Sequence, residues 1–438
     1  MLPLFLLLLT ADPASWWTRY NDPELNRIID KALAQNLDLQ IATQRIAEAR
    51  TLTTTSRARL SPEINALGSA NRLRGGFAQN IIRIPNPSGQ QQGGSFVSPF
   101  DTGLLQSGLD MKWELDLFGG NRAVRRAAEA DLLAEQELRA DLAITISAEA
   151  ARYYFELRGI EDRLAITRRN LDAQRELLRL TEVRFHSGLA TALDVERQRA
   201  LVSNTEASLP ALAAERSVHL NRLAVLTNDQ SFQPSPASRP LAAPSLATDL
   251  PGELLKRRPD VRAAEARLAA ATDRLKQART DLYPKITLNG LLGRQGTSLT
   301  TLSLGAGNFF NLGPQIQLPV FNSGRIQANI ASSDARLEQA RLNYQQELLT
   351  AFEEAANALS SYKLQREREA RLAAATRSAA SSLSLTTDLE RAGLSDGLAV
   401  LDTQRTLLDS EYQQSAAHTA ALLESVALFK ALAGGWPD

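Results

Sequence analysis

Two periodicities alternate along the chain. At 109–117, Leu109, Met111, Trp113, Leu115 and Leu117 occupy every second position, and Asp110, Lys112, Glu114 and Asp116 fill the gaps. A repeat of two places the apolar side chains on one face of a strand and four charges on the other. The alternation recurs with Ile286, Leu288 and Leu292 against Thr287 and Asn289. It recurs again with Leu312, Pro314, Ile316, Leu318 and Val320 against Gln315 and Gln317. A weaker strand is predicted around 64–72. Strands of about 9–11 residues that are apolar outside and polar inside suit a membrane barrel with a wet lumen. A soluble sheet with one wetted face would show the same alternation.

The other period is helical. After Arg325, the residues Ile326, Ile330, Leu337, Tyr344, Leu348, Ala355 and Leu359 fall at steps of four and seven. Leu142, Ile146, Tyr153, Leu157, Ile160, Leu164, Leu171 and Leu178 form a similar series after Arg122. These are coiled-coil seams. No Gly or Pro interrupts 325–392, so the series after Arg325 predicts a helix about 100 Å long at ~1.5 Å per residue. Pro210 lies inside the helix expected over 189–228 and predicts a kink there.

The pattern is written twice. Asn36–Gly68 and Arg258–Gly290 align at an offset of 222 with 10 of 33 positions identical. "LFGGNR" (117–122) then matches "VFNSGR" (320–325), and "LTEVRFHSGLATALDV" (180–195) matches "LTTDLERAGLSDGLAV" (385–400). The expected organisation is a signal-like remnant at 1–15 and a first repeat at 16–228, with strands 62–74 and 104–118 and a tip turn at 186–192. A Pro-rich linker (229–251) leads to a second repeat at 252–433, with strands 284–294 and 311–321 and a tip turn at 391–397. A tail occupies 434–438. The Gly, Pro and Gln of 75–103 mark a long loop.

Four strands cannot close a barrel, and eight leave an interior filled with side chains. Three chains would supply twelve strands and room for water. The geometry therefore predicts an oligomeric duct, part β-barrel and part α-helical, with Asp110, Lys112, Glu114, Asp116, Gln315 and Gln317 facing the lumen.

Composition narrows the chemistry. The 438 residues carry 49 basic and 49 acidic side chains with no long like-charge run, which lacks the basic footprint of a nucleic-acid binder. There is no Cys, and the three histidines (His186, His219, His418) are scattered, so neither a thiolate nor a histidine metal site is expected, and no cofactor is implied. "MLPLFLLLLT" resembles the apolar region of an export signal without its basic start. Gly393-Leu394-Ser395-Asp396-Gly397 fits the G-x-S-x-G elbow of serine hydrolases. It lacks the preceding strand and the Asp and His partners that the elbow needs, so no enzyme is predicted. Gly393 and Gly188 instead fit the left-handed position that ends a helix, and Ser395 or Asp396 suits the start of the next one.

A family resemblance accompanies these readings. "WW" (16–17), "NDPELNRIIDKALAQNLDLQIATQRIAEAR" (21–50), "LLKRRPDVRAAEARLAAA" (254–271), "YPKITLNG" (283–290) and "FNSGRIQANI" (321–330) resemble the TolC-type outer membrane factors, and most of all the NodT-like efflux lipoprotein branch. The resemblance spans about 16–432. It implies a homotrimer with a 12-stranded barrel in the bacterial outer membrane, a mixed equatorial belt and a periplasmic α-helical barrel. It implies a passive efflux exit serving a periplasmic adaptor and an RND-type inner-membrane pump. A type I secretion duct is the alternative, and a soluble coiled-coil scaffold a more distant one. The lipidated cysteine of that branch has no counterpart here, so lipidation is not expected of the chain as written. By resemblance, the two turns are adaptor-contacting tips carrying Gly188, Leu189, Gly393, Leu394, Ser395 and Asp396. Leu398 corresponds to an apolar constriction, and Asp402 and Arg405 to charges that hold the periplasmic gate closed. Spacings of four and three place these three on one helix face.

Overall fold

The computed structural model describes residues 15–79, 96–235, 241–244, 257–299, 302, 307–395 and 397–433. The signal-like start, part of the 75–103 loop, parts of the linker, Asp396 and the tail lie outside the described residues. A 3-10 turn (Trp16–Tyr20) is followed by α1 (Pro23–Gln35), α2 (Leu37–Ala58), β1 (Glu63–Gln79), β2 (Phe96–Leu115), α3 (Gly120–His186) and α4 (Ala192–Leu226). Then come α5 (Pro259–Thr280), β3 (Lys285–Gly296), β4 (Asn308–Gln317), α6 (Arg325–Arg391) and α7 (Gly397–Ala431). α3 and α6 each have 67 residues, about 100 Å at ~1.5 Å per residue. The helix α4 runs through Pro210 and continues to Leu226.

Two compact units divide the chain, and each draws on both sequence repeats: 1–47, 133–266 and 341–438 form one, 48–132 and 267–340 the other. The first unit holds the large core. Trp16, Trp17 and Tyr20 are buried with Leu25, Ile28 and Ile29 of α1, Tyr154 and Phe155 of α3, Leu223 of α4 and Phe429 of α7. The Trp16 ring stacks on Phe429 at 5.2 Å. Several polar groups carried into this core are hydrogen-bonded there, although the buried Trp16 Nε1 finds no partner within the chain. Asp22 accepts from the Glu24 and Leu25 amides to cap α1 and also accepts from the Tyr154 hydroxyl at 2.5 Å. The α3 seam is buried at Ile146, Leu157, Ile160, Leu164 and Leu171, whereas in the α6 seam Ile326 and Ala355 are buried and Ile330, Leu337, Tyr344, Leu348 and Leu359 are half-buried.

Arg258 lies in the same unit and shows what the RRPDV block does. Its guanidinium bonds Asp260 at 2.6 Å, Glu354 of α6 at 2.7 Å and the Ala431 carbonyl at 3.1 Å. That carbonyl is one of the unpaired acceptors at the end of α7, where a cation is favoured. Burial alone would lower the pKa of Arg258, but its hydrogen bonds to the two carboxylates hold it above the usual arginine range.

The second unit contains the sheet, an antiparallel meander in the order β1-β2-β3-β4. Ile64 faces Met111, Leu109 faces Leu292, Trp113 faces Leu288, and Leu288 faces Pro314. Cross-strand partners share a face, so the apolar positions of all four strands form one surface. The opposite surface carries Asn65 across from Asp110, Lys112 across from both Glu63 and Asn289, and Glu114 across from Thr287, which faces Gln315. At one end the ladder outruns the expected strands, with β1 and β2 paired to Gln79 and Phe96; at the other, β2 stops at Leu115 and β4 at Gln317, short of the expected 118 and 321. β4 starts at Asn308, before the Leu312 alternation, because Arg294 pairs there.

Candidate functional site

The two predicted turns share one construction. After α3, Gly188 adopts φ 70°, its amide bonds the Phe185 carbonyl at 3.0 Å, and the Leu189 amide bonds the Arg184 carbonyl at 2.8 Å. After α6, Gly393 adopts φ 74°, with amide bonds from Gly393 to Glu390 at 3.0 Å and from Leu394 to Leu389 at 2.9 Å. Both are Schellman caps, which require the left-handed glycine and satisfy the last helix carbonyls. Thr191 starts α4 through a reciprocal capping box with Asp194. Its counterpart in the second repeat is Asp396, outside the described residues. Ser395 is half-buried in the second turn.

An ion pair between Arg184 of α3 and Glu390 of α6 sets the ends of these helices side by side, so both turns lie at one end of this unit. Capping accounts for the glycines but not for the leucines that follow them. Leu189 is 79% exposed and Leu394 76% exposed, although the residue at that point of the motif commonly packs back on its own helix.

Just past the second turn, α7 separates two faces. Val400 and Gln404 are buried, whereas Leu398, Asp402 and Arg405 are exposed together on the other side. Among the described residues, neither Asp402 nor Arg405 makes an ion pair within its own chain. A local i, i+3 pair, the simplest use for these charges, is not formed.

On the polar face of the sheet, Asn65 reaches Asp110 at 3.5 Å and Asn289 donates to Gln315 at 2.9 Å. Gln317 stands opposite Lys285 at the end of the β3–β4 ladder. Asp116 differs from the other three charges of the 109–117 stretch. It lies beyond β2 and accepts from the Asn121 and Arg122 amides at 3.0 and 2.9 Å, capping α3, and it pairs with the Arg122 guanidinium at 3.0 Å. Burial would raise its pKa, but those amides and that guanidinium hold it below the usual aspartate range.

The pattern of residues missed what Arg258, Arg184 and Glu390 do, because each partner is distant in sequence and single charges on helices carry no local signal.

Comparison with known proteins agrees with this arrangement. The sequence pattern of the outer membrane efflux protein family matches residues 28–229 and 250–434. The chain is 34% identical to the pyoverdine export outer membrane protein OpmQ of Pseudomonas aeruginosa, covering 97% of this chain and 88% of OpmQ. It is 31% identical to the outer membrane protein OprJ of the same organism, covering 98% and 87%. The solved outer-membrane channel OprN superimposes with a TM-score of 0.87 at 32% identity, over 97% of this chain and 93% of that one. With a four-stranded sheet, duplicated long helix hairpins and these relatives along nearly its whole length, the chain belongs to the outer membrane efflux protein family.

Proposed function

We propose that three copies of this outer-membrane efflux protein assemble into a passive exit duct for small molecules. Three four-stranded sheets supply twelve strands, enough to enclose water. Asp110, Lys112, Glu114, Gln315 and Gln317 face the lumen, and Asp116 stands at its periplasmic mouth. The repeats 16–228 and 252–433, joined by 229–251, each give the barrel two strands and the periplasmic wall one helix hairpin. A periplasmic adaptor docks at Gly188-Leu189 and Gly393-Leu394-Ser395-Asp396, joining the duct to an RND-type inner-membrane pump. Two sheet edges and an exposed apolar stripe on α6 that includes Leu342, Leu349 and Phe352 support the trimer, because neither is stable against lipid or water alone. No catalytic step is assigned to the chain.

The observation that carries the gate is the exposed face of α7. Leu398, Asp402 and Arg405 stand clear of their own chain, so their partners come from neighbouring copies converging on the tube axis. A leucine ring stops ions by dewetting, and a carboxylate ring favours cations. Conductance in planar bilayers tests this directly. The Asp402→Ala/Arg405→Ser double variant, still trimeric, is expected to conduct several-fold more than wild type with weaker cation preference. Unchanged conductance and selectivity would place the gate elsewhere.

A further inference from the structure

Where β2 passes into α3 and α5 leads into β3, the second unit carries an open recess of about 410 Å³. Its wall carries four cations, Arg122 and Arg126 from the first turns of α3 and Lys276 and Arg279 from the last turns of α5, beside Phe118 and Tyr283. No carboxylate lines it. The two rings are stacked at 4.7 Å.

Of the carboxylates that partner these cations, Asp116 and Asp273 lie beneath them and Asp334 is exposed. Asp116 and Asp273 are 12% and 14% exposed, while the four cationic side chains are 44% to 61% exposed. Asp273 is shared between Arg126 at 2.9 Å and Lys276 at 3.5 Å, and Arg279 reaches Asp334 only at 4.0 Å. The surface offered to a visitor is therefore donor-rich and positive, with two of its three partner carboxylates held behind it. Arginine forks on a shallow positive surface suit phosphate oxygens.

Height decides the source of the phosphate. Phe118 lies three residues past the end of β2, and Tyr283 two residues before β3. In a chain whose strands cross the outer membrane and whose long helices lie in the periplasm, those ends mark the inner edge of the bilayer. Aromatic rings gather at that level in membrane proteins. Basic pockets just beyond it receive anionic lipid headgroups.

We propose that this recess binds the phosphate headgroup of an anionic phospholipid in the periplasm-facing leaflet, with Lys276 and Arg279 as its principal contacts and the Phe118–Tyr283 pair against the glycerol and upper acyl region. Arg122 and Arg126 also hold the strand-to-helix junction, whereas Lys276 and Arg279 are loosely paired and free to turn toward a ligand.

The test is native mass spectrometry of the full-length, detergent-purified assembly. Dihexanoyl phosphatidylglycerol, dihexanoyl phosphatidylcholine and inorganic phosphate are added in separate arms. Wild type is expected to retain phosphatidylglycerol in clear preference to phosphatidylcholine and to show no retention of inorganic phosphate. A basic side chain near an anionic headgroup is worth roughly fivefold in affinity. Lys276→Gln with Arg279→Gln should therefore weaken phosphatidylglycerol binding roughly twentyfold. Arg371→Gln, at an exposed cation paired with Glu367 far along α6, should leave it unchanged and controls for overall charge. The single variant Lys276→Gln gives an intermediate loss if the double variant assembles poorly. Equal retention of the two lipids, unchanged binding in the variants, or retention of inorganic phosphate as strong as that of phosphatidylglycerol would each overturn the proposal.

Discussion

Gly393 and Gly188 do their work through a single dihedral angle. At φ 74° and 70° an L side chain is crowded against the following carbonyl, costing roughly 1–2 kcal/mol. Nothing else stands within 4 Å of the position a Cβ would take at either residue, so the strain is confined to the turn. Gly393→Val is expected to weaken cross-linking to the proposed adaptor and leave the mass of the assembly by light scattering unchanged. Unaltered cross-linking and efflux would remove the docking role. Asp229 supplies a residue-scale pH dependence. Its carboxylate bonds the Lys31 ammonium and accepts from the Ser231 amide and hydroxyl, which hold its pKa down at about 2. A depressed carboxylate stabilises the fold above its unfolded pKa of about 3.9 and loses that contribution as pH falls through the folded value. Wild type should therefore resist unfolding better than Asp229→Asn at pH 7, and the two should converge as pH approaches about 2 in thermal melts. A gap that persists in acid would mean the pair with Lys31 is not its source.

Elements are where the sequence was most readable and where its limits show. The alternation around Leu109 to Leu115 passes directly into register, since each apolar residue meets an apolar or small partner across β1 or β3. Strand length was not legible. β2 begins at Phe96 inside a stretch whose Gly, Pro and Gln read locally as a loop, because pairing with β1 sustains it. Asp116 continued the alternation on paper, yet the chain turns there and its carboxylate is spent on the α3 amides. The glycine turns were readable because a capping motif is local. The α7 face needed the resemblance, since a spacing of four and three marks a face without saying what it meets. Neighbours on β3 give the element-scale test. Leu288 and Asn289 lie on opposite faces by register. An arginine on a lipid face costs about 2–4 kcal/mol at the bilayer midplane and less toward the interface, near which Leu288 lies. Leu288→Arg should therefore reduce the amount of assembled protein in the outer membrane, and Asn289→Arg should assemble normally and shift ion selectivity toward anions. Equal tolerance of both substitutions would argue that the faces are not divided between lipid and water.

For the molecule as a whole, the decisive quantity is stoichiometry. A lone sheet leaves β1 and β4 with unpaired edges, and each buried, unsatisfied backbone group costs several kcal/mol in lipid. Light scattering of the detergent-solubilised protein should give the mass of three chains, and a monodisperse monomer would dismantle the duct.

The pairing of β2 with β3 also imposes a timetable on synthesis. The two strands that meet at the centre of the sheet come from opposite halves of the chain, separated by the 169 residues between Leu115 and Lys285. At ribosomal speeds of about 5–20 residues per second, β2 waits roughly 8–34 s for its neighbour. Throughout that interval its free edge is a template for pairing with any other nascent copy. Charges such as Asp110, Lys112 and Glu114 on the polar face are the kind of side chain that discourages such encounters. The face proposed to meet water in the finished channel thus also guards β2 before its neighbour arrives.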